Sequence, residues 1–333
     1  MRTDKASRTA RLVFWIKTIE GTLMNRFERF SGYRGFAALL VAVAFLAGCG
    51  SEDEVLGGRG GSGGGGPGPA GAAPNLGAAA TFGIAATAGV TNTPTAPLSH
   101  INGDAVLDPN VTCNAVTIDA AGGFGLCGGS APTITGTVIS SLFDPGSTKA
   151  AVIADLRAAF LAITPPAGPP AAGSRGGATN LPAGTTLGAP SGSALVQGDN
   201  YFVPGLYQST TSILITGDLT LDAQGNPNAV FIFQSSSSVG TADGAVSPLA
   251  HTRILLINGA KASNVFWQAG TSATLGIATD FQGNILASAD ITMKTSATSC
   301  GRLFAGAFAS GAFVFDSNVV SVPGNASAPA TCK

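Results

Sequence analysis

Phe231-Ile232-Phe233, Val265-Phe266-Trp267, Ile285-Leu286-Ala287 and Leu303-Phe304-Ala305 are apolar triplets that can be laid over one another, at intervals of roughly 18 to 36 residues. A small Ser/Thr-rich strand and a Gly or Asn corner follow, and the plan repeats across residues 228–318. A second column stacks Val239, Leu275, Met293 and Phe315. Two apolar columns per turn, separated by small polar residues, suit a coil whose strands point one side chain inward and the next outward. One such turn cannot bury its apolar face alone, so a stack is needed to make a core. The longest interval also holds Arg253-Ile254-Leu255-Leu256-Ile257, read as an extra wall and not as a missed repeat. The expectation is a β-solenoid.

Composition narrows the function. The 333 residues include 47 Gly, and 17 Lys and Arg nearly balance 18 Asp and Glu, for a net charge of -1. A nucleic-acid partner would call for a basic stripe, and the chain has none. Positive charge is concentrated before Phe36 and is sparse afterwards.

Residues 36–48 form an apolar stretch of about 13 residues behind Arg26, Arg29 and Arg34, too short to span a bilayer but suited to a signal-peptide core. It ends in Leu46-Ala47-Gly48-Cys49, which resembles a bacterial lipobox; that resemblance implies a lipid on Cys49 and a mature chain starting there. With Gly50, rather than an Asp, at the second mature position, the resemblance to bacterial lipoproteins implies sorting to the outer membrane, with the domain expected to be surface-exposed. Residues 50–74 are Gly, Pro, Ala and Ser after a short acidic patch, the composition of a flexible tether. The expected layout is a leader and lipoprotein signal peptide over residues 1–48, with Met24 as a plausible true start, lipid attachment and tether over 49–74, and one folded domain over 75–333. The membrane is then a partner through the lipid anchor only.

Setting Cys49 aside leaves Cys113, Cys127, Cys300 and Cys332, which in an exported chain favour two disulfides. Four cysteines allow three connectivities; the preferred one closes a Gly-rich loop with Cys113–Cys127 and ties the tail to the last turns with Cys300–Cys332. No CxxC pair exists, and His100 and His251 lie at no ligand-like spacing from the cysteines, so neither metal nor cofactor is expected.

One segment breaks the β pattern. Over residues 147–163, Ala150, Ile153, Leu156, Phe160 and Ile163 follow the three-and-four spacing of an amphipathic helix, with Pro165 and Pro166 stopping it and Ser147 or Asp144 as the cap. A single helix with one apolar face in a β protein should lie along a wall of the coil and cover it.

The block over residues 219–234, together with Ile257-Asn258-Gly259-Ala260, Asn264-Val265-Phe266-Trp267-Gln268, Gly283-Asn284-Ile285-Leu286-Ala287 and Gly301-Arg302-Leu303-Phe304-Ala305, resembles the microbial ice-binding protein family. Thr91-Asn92-Thr93 and the Pro204-Gly205-Leu206-Tyr207 turn agree, and the resemblance covers roughly residues 75–323. It implies a mainly β fold: a discontinuous β-solenoid of triangular cross-section with one α-helix packed alongside, the N-terminal strands inserted among the C-terminal turns. It also implies that the protein meets an ice crystal surface through one flat face and has no enzyme activity; the chain is expected to be a monomer.

Stacked strands repeat every ~4.7 to 4.9 Å, so equivalent side chains on successive turns form a rigid array. Threonine presents a methyl and a hydroxyl at each point, and β-branching holds χ1 still. The row resembling the family's Thr-Ala/Gly-x-Thr/Asn motif starts from Thr241, Ile277, Thr295 and Ser317 and continues through Asp243, Thr279, Ala297 and Val319, giving Thr241, Asp243, Ile277, Thr279, Thr295, Thr298 and Ser317 as the expected ice-binding face. The runner-up ladder is Ser238, Thr274, Thr292 and Val314. Ile277 departs from the motif's threonine, and Pro94 stands where the family has Gly.

Two literal catalytic patterns dissolve on inspection. The Ser62 nucleophile-elbow pattern sits in the tether, and Gly123 to Gly128 matches a dinucleotide fingerprint that opens no helix. A polysaccharide-cleaving solenoid would need its acids clustered on one wall, whereas Asp243, Asp280, Asp290 and Asp316 fall at different positions in the repeat. The expected function is therefore ice binding at the cell envelope without catalysis, the alternative being a non-catalytic surface adhesin or structural solenoid.

Overall fold

Short strands of large apolar and β-branched residues, each ended by a corner, wind the chain into a sequence of three walls that repeats turn after turn. The computed structural model describes residues 72–114, 116–117, 130–165, 178–245, 251–326, 328 and 332. All belong to one compact unit, Ser62–Lys333. The leader, Cys49, most of the tether, Cys127 and the Gly123 pattern lie outside the described residues.

Successive turns of the stack contribute one strand to each of three sheets and pair in parallel; the exception is Thr112–Cys113 with Val116–Thr117, an antiparallel pair at the end of the second sheet. Gly205–Ser209, Ile213–Ile215 and Asp218–Asp222 make one turn; Phe231–Ser235, Val239–Thr241 and Arg253–Ile257 make the next. Arg253–Ile257 pairs in register with Asp218–Asp222 through Leu219↔Ile254. The expected extra wall is thus the third side of every turn, a side the two-column reading omitted.

The stack continues through Val265–Ala269 and Asn284–Ala287 to Leu303–Phe304, where the N-terminal chain joins it. Ile84 pairs with Leu303, Val90 with Phe313 and His100 with Val319. Asp104–Leu107 and then Val138–Ser140 follow beyond Phe82–Ala86. The solenoid is discontinuous as expected, but the N-terminal strands extend the end of the C-terminal stack and are not inserted among its turns.

Inside the coil, Phe231, Phe233, Trp267, Ile285, Leu303 and Ile84 are fully buried. The rings of Tyr207, Phe233 and Trp267 stack with centroids 5.2 and 4.1 Å apart. A second apolar layer lies outside the first sheet, where Ile232, Phe266, Leu286 and Phe304 meet helix α1 (Lys149–Ala162). The buried side of α1 is Val152, Leu156, Ala159 and Phe160, with Ile163 just beyond its end. Ala150, expected in the stripe, is exposed, because the helix is rotated toward Val152. Asp144 is the cap: its carboxylate accepts the Thr148 N–H at 2.9 Å and the Lys149 N–H at 3.1 Å.

The sequence overlay holds for Phe231↔Val265 and Leu303↔Ile285. It slips by two residues between them, because Trp267 pairs with Ile285. The second column slips likewise, since Val239 pairs with Ala273 and not with Leu275, while Leu275↔Met293 holds. A slip of two keeps every side chain on its expected face, so the in-and-out pattern survives it.

Cys300 and Cys332 form a disulfide, Cα–Cα 5.2 Å, on the third sheet. Cys113 is also disulfide-bonded.

Candidate functional site

The three sheets differ in what covers them. The first is roofed by α1. The third carries the Cys300–Cys332 tail attachment and a charged row in which Arg253 grips Asp218 through two hydrogen bonds of 2.8 and 2.7 Å. That guanidinium holds the Asp218 carboxyl below the usual carboxylate range, against a smaller opposing effect of burial. The second sheet is open along its described length.

The open wall is built from three-residue strands whose ends point inward and whose middle residue points out. Ala273 and Leu275 are buried on either side of Thr274, and Ile291 and Met293 on either side of Thr292. The strand register sets the outward residues in one row: Thr186, Leu214, Gly240, Thr274, Thr292, Val314 and Thr91. At the spacing of parallel strands this row is about 29 Å long. It carries no charge. Leu214 is 41% exposed and Val314 37%, so the relief is of methyls and hydroxyls on a rigid backbone.

Charges stand at the rim, and each has a partner. Lys294 pairs with Asp243 at 2.9 Å, which keeps the Asp243 carboxyl below its usual range with help from the Ile277 N–H. Asp316 accepts the Thr295 and Thr93 hydroxyls, each at 2.5 Å. These two bonds lower the Asp316 carboxyl and tie the N-terminal strands to the C-terminal stack.

The expected face does not assemble as one exposed row. Thr241 is 6% and Thr279 0% exposed; their hydroxyls lie 2.7 Å apart inside the coil, and Thr241 also accepts the Gly276 N–H at 2.7 Å. Ser317 is buried at a corner and donates to the Thr95 carbonyl at 3.1 Å. Asp243, Ile277 and Thr295 sit at the rim of the open wall, and Thr298 belongs to the third sheet, where it donates to Asp280 at 2.8 Å. The physical reason is register. Thr298 pairs with Val319, so Ala297 is level with Asn318 and not with Val319.

The runner-up residues Thr274 and Thr292 are direct neighbours in the outward row with Val314, whereas Ser238 is replaced there by Gly240. Thr186, Leu214 and Thr91 were missed. The signal that finds them is a single outward residue between two inward apolar ones, as in Ile213-Leu214-Ile215. Among the described residues, no group of three or more His, Cys, Asp or Glu side chains is placed to hold a metal ion.

A sequence model of the ice-binding-like family matches residues 84–320. An ice-binding protein of Nostoc sp. is 45% identical over 119 residues, covering 35% of this chain and 40% of that protein. One from Flammulina populicola is 30% identical over 241 residues, covering 70% of this chain and 83% of the relative. The chain spans 40%, 11% and 41% of the Nostoc, Shewanella frigidimarina and Flavobacterium frigoris proteins it matches. Among solved structures, an ice-binding protein from the Antarctic ascomycete Antarctomyces psychrotrophicus aligns with a TM-score of 0.55 at 31% identity, over 75% of this chain and 98% of that one. An Arctic yeast ice-binding protein aligns at 0.56 and 26% identity, over 77% of this chain and 96% of its own. With a match that runs through most of the solenoid and a triangular coil shared with these structures, the chain belongs to the ice-binding-like family.

Proposed function

We propose that this protein binds ice through the open wall and does so without catalysis. The observation that carries the reading is the uncharged, evenly spaced row with Thr274 and Thr292 at its centre, on the one described sheet that neither α1 nor the tail attachment overlies. Water held over such an array is ordered by fixed methyl and hydroxyl groups, and a layer so ordered can merge with a crystal. Each side chain contributes little, and the effect accumulates over area. The acids expected in a hydrolytic solenoid are occupied elsewhere: Asp243 with Lys294, Asp280 with Thr298, Asp290 with the Ala312 N–H, Asp316 with Thr295 and Thr93.

The reading extends to the envelope. Leu46-Ala47-Gly48-Cys49 and the Gly-rich tether favour attachment to the bacterial outer membrane by lipid on Cys49, with the solenoid presented at the surface. Mass spectrometry of the mature N-terminus tests the lipid, since an unmodified Cys49 or cleavage elsewhere removes the anchor. Fluorescently labelled protein on a single growing ice crystal tests the binding. Labelling of one crystal plane is expected; no labelling and no freezing hysteresis would leave a non-catalytic adhesin or structural solenoid.

A further inference from the structure

We infer that Gly240 limits how strongly the open wall holds ice, by interrupting the row with a position that has no side chain. This rests on the reading of the open wall as the ice-binding face. In register order the row runs Thr186, Leu214, then Gly240, then Thr274, Thr292, Val314 and Thr91. The glycine therefore separates a two-residue segment from an unbroken one of four. Val314 keeps the branched relief of a threonine. Gly240 keeps nothing above its backbone.

The geometry does not require glycine at this point. Gly240 is in the middle of the strand Val239–Thr241, and it is not among the residues with left-handed φ. A Cβ built there would lie 3.5 Å from the Thr274 carbonyl oxygen and 3.8 Å from Leu214 Cδ1, both ordinary van der Waals distances. Two other glycines along this stretch are different. A Cβ on Gly270 would meet the Ser236 carbonyl oxygen at 2.6 Å, and one on Gly276 the Ala242 carbonyl oxygen at 2.4 Å. Those two are held by close backbone approach, whereas Gly240 has room for a Cβ in the middle of a strand, where β-branched residues are favoured.

The test compares the full chain with its Gly240→Thr and Gly240→Ala variants, reading thermal hysteresis against concentration and the melting temperature of each. Gly240→Thr is expected to shift the hysteresis curve upward, Gly240→Ala to stay close to wild type, and both to melt no lower than wild type. An active wild type with a folded Gly240→Thr that is equal or weaker overturns the inference and leaves the ice face standing. An equal gain in Gly240→Ala also overturns it, because stiffening of the strand would then account for the change. Absence of hysteresis in both wild type and folded Gly240→Thr overturns the reading of the face as well. Should Gly240→Thr fail to fold, Gly240→Ser is measured on the same two readouts, and an upward shift or its absence decides the question.

Discussion

The Thr241 and Thr279 hydroxyls meet at 2.7 Å inside the coil, bridging the second and third sides of the triangle. Both side chains are buried, and Thr241 additionally accepts the Gly276 N–H. A threonine in this position stabilises a corner and offers nothing to a surface. Thr241→Val keeps the volume but strips the acceptor from Gly276 and the partner from Thr279. Leaving buried groups unpaired costs about 1 to 3 kcal/mol. Differential scanning calorimetry should show a lower melting temperature, while hysteresis measured near freezing stays at the wild-type level. Loss of hysteresis in a folded Thr241→Val would return this corner to the ice face.

Thr292 gives the opposite expectation. Its outward side chain stands between Thr274 and Val314 in the row. Thr292→Tyr puts a ring on a flat array without touching the buried Ile291 and Met293, so hysteresis and ice shaping should be abolished with the melting temperature nearly unchanged. Thr298→Tyr, on the third sheet, should leave both intact. If Thr298→Tyr silences the protein and Thr292→Tyr does not, the binding face lies on the third sheet.

The solenoid was legible because alternation within a strand is local and forgiving. Placing Ile285 over Val265 is wrong by two residues, yet it leaves each side chain facing the correct way, so the core was readable despite the slip. The ladder was not readable, because it was traced through corners of unequal length. Ala278, Ser296 and Ser317 are equivalent left-handed corner residues. They lie three residues after Leu275 and Met293 but only two after Phe315, so a row carried across the corner drifts by one. The last turn carries a second irregularity, legible in the sequence as a longer interval from Ala305 to Phe315. Ile285 and Ile291 are six residues apart but their partners Leu303 and Phe313 are ten apart. The added segment brings Phe308 against Phe160 and beneath Arg157 of α1, with the guanidinium 5.0 Å from the ring centroid. Nor does composition disclose that Ile84 pairs with Leu303, a partner far along the chain.

Asp316 makes the joint between the two ends of the chain sensitive to acid. Its carboxyl is lowered chiefly by the Thr295 hydroxyl and then by the Thr93 hydroxyl, with burial opposing. A depressed folded-state pKa contributes stability above the ordinary carboxylate value, and that contribution is lost as pH falls from there through the lowered folded value. Melting temperature followed from neutral pH into acid should therefore show Asp316→Asn below wild type near neutrality, the gap closing below the ordinary carboxylate range. A gap that does not change with pH would mean that the ionised carboxylate is not what holds Thr93 and Thr295.

The Cys300–Cys332 disulfide closes a sequence separation of 32 and lies on the third sheet beside Ala262 and Leu256. Cross-linking a loop of this size stabilises by about 3 to 4 kcal/mol through the entropy it removes from the unfolded chain. For a domain this large, each kcal/mol shifts the melting temperature by about 2 to 4 °C. Cys332→Ser should accordingly melt about 10 °C lower, and wild type in reductant, which also opens the Cys113 disulfide, should fall at least as far. Because the bond is not on the open wall, hysteresis near freezing should persist in the variant while it remains folded. A folded Cys332→Ser protein that no longer shapes ice would show that the tail attachment organises the binding surface, and the assignment of that surface to the second sheet alone would fall.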